Sequence, residues 1–178
     1  MSSFTYNDRT GGPINKKTPP DDTIERLVCN ECGFINYINP KIIVGAVCTW
    51  QNKFLLCKRS IPPRIGYWTM PAGFMEEGET AIEGAMREAQ EEACAEIQID
   101  ALLGIYNIPR LSQVHLIYRA KLLSPNFSAG PESQAVELYD WNDIPWENLA
   151  FPSVHWALSH FKEVEGQTNF APRAEGKM

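Results

Sequence analysis

The sequence predicts an α/β fold: a sandwich in which helices cover the faces of a mixed β-sheet, with a short polar arm in front. Three observations predict it. Strand-like and helix-like stretches follow in the order strands, helix, strands, helix, which suits a layered α/β domain. The 178 residues are 44% hydrophobic, enough for one globular domain with a real core and a small appendage. Residues 1–27 differ from the rest, being polar, rich in Pro, Gly and Asp, and weakly patterned.

Taken in order, the arm comes first. "GGPINKKTPPDD" forms neither a long helix nor a central strand, because proline fixes φ and lacks an amide donor. "KIIVGAVCTW" (41–50) is continuously apolar and partly β-branched, as a buried strand is. "NKFLLCKR" (52–59) follows closely, and Gln51-Asn52 reads as a hairpin turn. "PPRIGYW" is a loop, and "TMPAGF" a short extended piece. Residues 95–108 and 113–123 are two more strands. In the second, Val114, Leu116 and Tyr118 face one way, and His115, Ile117 and Arg119 the other. "AVELYDW" (135–141) is a short strand. Residues 152–166 form an amphipathic helix with Val154, Leu158 and Phe161 on one stripe.

Charge narrows the function classes. A net charge of −6 and a pI near 5.1 argue against nucleic-acid and anionic-membrane partners, since both need a basic patch. No apolar run approaches the ~20 residues of a membrane span. "MSSFTYNDRT" has neither a basic nor an apolar signal region. Cys48, Cys57 and Cys94 sit in apolar contexts and read as reduced core thiols, so a cytoplasmic location is the default expectation.

The stretch with chemistry in it is "GFMEEGETAIEGAMREAQEEAC" (73–94), with seven glutamates, one arginine and no lysine. Thr80 is an N-cap with Glu83 three residues on, a capping-box spacing. On a helix at about 100° per residue, Ile82, Met86, Ala89 and Ala93 share one face, expected to be the buried one. Glu88, Glu91 and Glu92 gather on the opposite side with Gly84, whose small size suits a close approach. Glu83 and Arg87 form an i, i+4 pair, and Glu79 can also reach the arginine. A solvated acidic face would intersperse lysines, because like charges at this spacing repel. Three carboxylates without a countercharge instead suit a hard divalent cation.

These residues resemble the Nudix box, G-x5-E-x7-R-E-U-x-E-E-x-G-U. Gly73, Glu79, Arg87, Glu88, Ala89, Glu91, Glu92 and Ala95 meet eight of its nine positions, and Cys94 stands where the family has glycine. That departure concerns the helix C-cap, where glycine suits the left-handed conformation. The likeness extends through "CGFINYINPKIIVGAV", "LLCKRSIPPRIGYWTMPAGFMEEGET", "LSQVHLIYRAKLL" and "GPES". It is closest to a branch with an N-terminal zinc ribbon that includes a plant chloroplast FAD and ADP-ribose pyrophosphatase. The array that marks NADH pyrophosphatases is absent after the box, which lowers NADH as a substrate.

The resemblance implies a Nudix α/β/α sandwich with a mixed sheet over residues 39–170, preceded by a degenerate zinc-ribbon-like arm over residues 1–38. It implies hydrolysis of a nucleoside diphosphate derivative by in-line attack of water, with Mg²⁺ or Mn²⁺ screening the charge. FAD and ADP-ribose are favoured, with AMP released. Carried onto this chain, Glu88, Glu91 and Glu92 bind metal with the carbonyl of Ala72, and one of Glu91 or Glu92 polarises the water. Arg87 and Glu79 orient these carboxylates. Glu132 in "GPES" is the downstream candidate for a base or ligand. The second glutamate of the relatives is replaced by Ala135, with Glu137 close by. Many relatives form homodimers.

The ribbon is broken. "CNEC" supplies Cys29 and Cys32 as one knuckle, but a structural zinc site takes four ligands. Thr5 and Asp8 stand where the other two cysteines would. Zinc binding is therefore not expected, and Cys29 and Cys32 are left as free thiols, a disulfide-like pair or half of a zinc site shared across a dimer.

Around the box, Tyr67, Trp68, Phe74 and Tyr106 are aromatic candidates to stack on adenine or flavin, Trp68 being better suited to the core. Arg59, Arg64 and Arg110 are candidates for phosphate contacts. Phe74, Tyr106 and Arg59 are the substrate-binding expectations. His115 points away from Val114 and Leu116, and Trp141 and Trp146 read as packing residues. Against the metal-dependent pyrophosphatase stands a Nudix-fold sensor that binds nucleotides without turnover, or an interaction role for the ribbon added to catalysis. An intact set of metal-binding glutamates favours the enzyme.

Overall fold

A computed structural model describes residues 12–175 of the chain. The described residues form two compact units that part between Asn39 and Pro40.

The first unit is a small three-stranded antiparallel sheet: β1 (Pro13–Lys17), β2 (Arg26–Cys29) and β3 (Ile35–Asn36), in the order β1-β2-β3. The sequence suggested a loop-rich, zinc-ribbon-like arm here without delimiting its strands. Five-, four- and two-residue strands are too short to show a period. Thr5 and Asp8 lie outside the described residues.

The second unit is built on one mixed sheet, β10-β5-β4-β9-β8-β11. Its strands are β4 (Lys41–Trp50), β5 (Lys53–Arg59), β8 (Ile97–Ile108), β9 (Gln113–Leu122), β10 (Ser133–Tyr139) and β11 (Arg173–Glu175). Two short strands, β6 (Trp68–Thr69) and β7 (Ala72–Phe74), pair with β5 and β4. The β4–β9 and β8–β11 pairings are parallel and the others antiparallel. The β4–β5 hairpin turns at Gln51 and Asn52, both with φ in the left-handed range, as a tight two-residue hairpin requires. β11 lies beyond residue 170, where the domain was expected to end. Its three residues carry no strand pattern of their own.

The helices α1 (Ala81–Ala93) and α2 (Pro152–Glu163) cover the sheet's two faces. Side chains alternate along the strands. Val47, Phe54, Leu56 and Ile117 therefore join Val154, Leu158 and Phe161 of α2 in one core. Ala46, Cys48, Leu55 and Ala120 meet Ala89 and Ala93 of α1 in the other. Trp141 and Trp146 pack against the α2 core as expected.

Candidate active site

α1 begins as its sequence dictates. Thr80 Oγ1 accepts from the Glu83 amide at 3.2 Å, and Glu83 Oε2 accepts from the Thr80 amide at 2.7 Å. The capping box satisfies two of the amides that every helix start leaves without a partner. It also occupies Glu83, so Arg87 pairs elsewhere and the expected Glu83–Arg87 pair does not form.

The buried face of α1 is not the one the apolar pattern predicts. Ile82 and Met86 are 45% and 42% exposed. Gly84, Ala85, Glu88, Ala89, Glu92 and Ala93 are buried instead. The helix turns its carboxylates inward with its alanines, because small side chains bring its axis close to the sheet. Gly84 shows how close. A methyl group there would lie 2.6 Å from Glu79 Oε1 and 2.7 Å from Val44 Cγ2. At Gly73 in β7 it would lie 2.4 Å from Glu88 Oε1, so β7 and α1 pack with a carboxylate between them.

Arg87 is the hub. Its Nε and Nη2 donate to the two oxygens of Glu79 at 3.0 and 2.9 Å, a bidentate pair. Nη1 donates to Glu88 Oε1 at 2.7 Å and to Glu91 Oε2 at 2.9 Å. Nη2 also donates to the Phe74 carbonyl at 3.0 Å, which fixes the loop before the helix. One guanidinium thus orients three glutamates. Glu79 also accepts the Glu76 amide, and the Arg87 hydrogen bonds pull its carboxyl down to about 2. The same carboxylates hold Arg87 protonated above its ordinary value.

Glu92 stands apart from this hub. It is 5% exposed, and its Oε2 accepts the Ala72 amide at 3.2 Å. It is therefore the amide of Ala72 that meets a site carboxylate. Burial pushes the Glu92 carboxyl up to about 8, and Glu88, 8% exposed, is raised by burial as well. Glu91 keeps 57% of its side chain in solvent.

Among the described residues no three acidic, thiol or imidazole groups converge tightly enough to hold an ion as they stand, since Glu88 and Glu91 are turned onto Arg87. The donor chemistry nevertheless fits a divalent cation. Every donor is a hard oxygen, and two buried carboxylates with raised pKa values gain most from added positive charge.

These residues form one wall of a cavity of about 700 Å³. Glu88, Glu91, Glu92 and Glu132 make its acidic side, and Glu132 lies near enough to raise Glu88 and Glu92 further by repulsion. Ile61, Pro62, Pro63, Ile108 and Leu111 make an apolar side. Phe74, half-exposed under the Lys41 ammonium at 4.9 Å, lines the cavity, as do Arg59 and Arg110. Arg59 donates from Nε to the Pro63 carbonyl at 2.8 Å, and its guanidinium lies 5.2 Å from the Phe151 ring. His115 lines it too. Burial holds its imidazole down to about 4, with Nε2 3.2 Å from Gln113 Oε1.

Several expectations are corrected. Tyr106 has no exposed surface and cannot stack on a ligand. Its hydroxyl lies 3.0 Å from His160 Nδ1 inside the α2 core. The strand forms where the sequence suggests it, and Tyr106 lies on its core-facing side. Glu137 accepts the Tyr139 hydroxyl at the surface and does not line the cavity, and neither does Arg64, which stacks on Tyr67. Cys94 is exposed rather than in the core, because it is the C-cap of α1 at φ 47°. There it adopts the left-handed conformation at a cost of roughly 1–2 kcal/mol. The amides of Ser128 and Gly130 answer the last carbonyls of the helix, those of Ala93 and Glu92. Phe151 and Ser153 carry no signal in the sequence, and Pro62 and Pro63 only that of a loop beside the site. They reach the cavity through a helix start and a loop, and neither carries a chemical pattern.

Comparison with known proteins agrees with this geometry. The NUDIX domain model matches residues 39–160, and the Nudix N-terminal zinc-ribbon model matches residues 10–38. The chain is 32% identical over 119 residues to an ADP-ribose pyrophosphatase of Methanocaldococcus jannaschii, covering 65% of this chain and 69% of that one. A NUDIX hydrolase from Nitrosomonas europaea superposes with a TM-score of 0.87 at 42% identity, over 97% of this chain and 100% of that one. The NUDIX domain of Shewanella oneidensis NrtR, crystallised with ADP-ribose, shares the fold at a TM-score of 0.60 and 22% identity, over 71% and 89% of the two chains. The arginine-fastened glutamates, the sheet between two helices and these matches lead to one conclusion: the chain belongs to the Nudix hydrolase family.

Proposed function

We propose that the chain hydrolyses the pyrophosphate of a nucleoside diphosphate derivative, with ADP-ribose first and FAD second, releasing AMP with ribose 5-phosphate or FMN. One observation carries this reading. The carboxylates of Glu88, Glu91 and Glu92 line the same cavity as the apolar side chains of Ile61, Pro62, Pro63, Ile108 and Leu111. That mixed lining suits a ligand with a charged diphosphate and flat, uncharged ends. The relative from Methanocaldococcus jannaschii supports ADP-ribose.

Nudix enzymes generally use Mg²⁺ or Mn²⁺, which would be held here by Glu88, Glu91 and Glu92 and would screen the diphosphate while lowering the pKa of water. The chain's own residues do the rest. Arg87 holds Glu79, Glu88 and Glu91 in fixed orientation, so little reorganisation remains at the moment of reaction. Glu91, the most exposed of the three, has room to take the proton of the attacking water. Arg59 and Arg110 offer cationic contacts to the phosphates, and Phe74 offers a ring face to the base. Glu132, close enough to Glu88 and Glu92 to raise both, adds to the negative charge that a cation would meet there.

The test is to incubate the protein with ADP-ribose, FAD, NADH and a nucleoside triphosphate, each with Mg²⁺ and separately with Mn²⁺, and to resolve products by chromatography. AMP from ADP-ribose or FAD, lost in EDTA and in Glu91→Gln, is the expected result. Tight binding of ADP-ribose without AMP would replace the enzyme with a nucleotide-binding module.

A further inference from the structure

The N-terminal unit matches a zinc-ribbon model, yet its residues do not fit zinc. A structural site needs four nitrogen or sulfur ligands. Residues 1–39 contain two cysteines and no histidine, and every other cysteine and histidine falls at residue 48 or later. The β1–β3 sheet is instead closed by its backbone. The Cys29 amide donates to the Phe34 carbonyl at 2.9 Å, and the Gly33 amide to the Cys29 carbonyl at 3.0 Å.

We propose that Cys29 and Cys32 are a redox-active dithiol that closes to an intramolecular disulfide by exchange with a low-molecular-weight disulfide such as oxidised glutathione. The two cysteines are free and bracket the tight turn between β2 and β3. Residues i and i+3 of such a turn have Cα atoms less than about 7 Å apart, within the span that a disulfide bridges. Backbone amides of the turn and the neighbouring Cys32 thiol pull the Cys29 thiol down to about 7. Exposure divides the roles. Cys32 is exposed and Cys29 only 5% exposed. The same burial disfavours a zinc shared between two copies, which needs both sulfurs at the surface.

The exchange has two steps. The Cys32 thiolate attacks one sulfur of oxidised glutathione, forming a mixed disulfide and releasing one glutathione thiolate. The Cys29 thiolate then attacks the Cys32 sulfur, forming the Cys29–Cys32 bond and releasing the second. Two protein thiols are oxidised, one glutathione disulfide is reduced to two thiols, and the two protons pass to glutathione.

The full chain is equilibrated in reduced and oxidised glutathione, quenched with N-ethylmaleimide, digested with trypsin and analysed by mass spectrometry, with bound zinc measured in parallel. The tryptic peptide covering residues 27–41 holds both cysteines. The expected product is this peptide two hydrogens lighter and unalkylated. Its oxidised fraction should rise from about a tenth to about nine-tenths over a ~hundredfold change in the redox ratio. Cys32→Ser should abolish that product. Cys94, a single exposed thiol, should carry only glutathione or the alkylating group. Alkylation of both Cys29 and Cys32 while Cys94 takes glutathione would overturn the proposal. So would one equivalent of zinc that is released only when the two cysteines are modified.

Discussion

The two helices of the Nudix unit are nearly the same length, 13 and 12 residues, and each covers one face of the same sheet, yet they bury opposite chemistries. α2 turns Val154, Leu158 and Phe161 into an aromatic-rich core, where Phe161 meets Phe54 edge-on at 5.1 Å. α1 buries alanines, a glycine and the carboxyl groups of Glu88 and Glu92. A buried leucine or phenylalanine stabilises by about 1.5–3 kcal/mol, whereas a buried carboxylate costs unless it is bonded. Hence α2 holds the fold together, and α1 needs its capping box and Arg87 to stay in place. A helix packed through small residues can bring short carboxylates to a sheet, and one packed through large residues cannot.

That contrast can be broken from the α2 side first. Leu158→Ala removes a fully buried side chain and should cost about 2–5 kcal/mol. The loss should appear as a lower midpoint in urea, with activity per folded molecule kept. On the α1 side, Arg87→Lys keeps the charge but loses the fork that reaches Glu79, Glu88 and Glu91. Misplaced carboxylates should lower kcat for AMP release by about 10²-fold. Melting should change less than in Leu158→Ala, and a lysine enzyme of full activity would remove the hub role.

A smaller effect sharpens the comparison through pH. Burial holds the His115 imidazole down to about 4, against an ordinary value near 6.5. In this window the unfolded chain binds a proton that the folded chain does not. Stability from this group is therefore present above pH 6.5 and lost as pH falls toward 4. His115→Gln should flatten the melting temperature over that window relative to the wild type. An unchanged slope would mean that the imidazole is protonated in the folded state.

The contrast also marks what the sequence could show. The residues of the Nudix box, the capping box and all the long strands were legible, because each has a spacing that chemistry or pleat geometry imposes. The buried face of α1 was not. Ile82 and Met86 look like core residues by hydropathy, and only the close packing that Gly73 and Gly84 permit turns Glu88 and Glu92 inward instead. Tyr106 failed for a related reason: a strand's period gives two faces without saying which meets a helix and which a ligand. Phe151 comes to Arg59 and the Pro62-Pro63 loop from a distant part of the chain, and no local pattern records that meeting.

The most direct measurement is Glu88→Gln, with AMP release from ADP-ribose and thermal melting followed on the same preparation. Glu88 is a buried carboxylate on α1, so the amide removes charge and keeps shape. The expected result is a loss of activity of about 10²-fold or more, with melting within a few degrees of the wild type. Activity retained within a few-fold, or a loss fully explained by unfolding, would contradict the claim that α1 buries its carboxylates for chemistry.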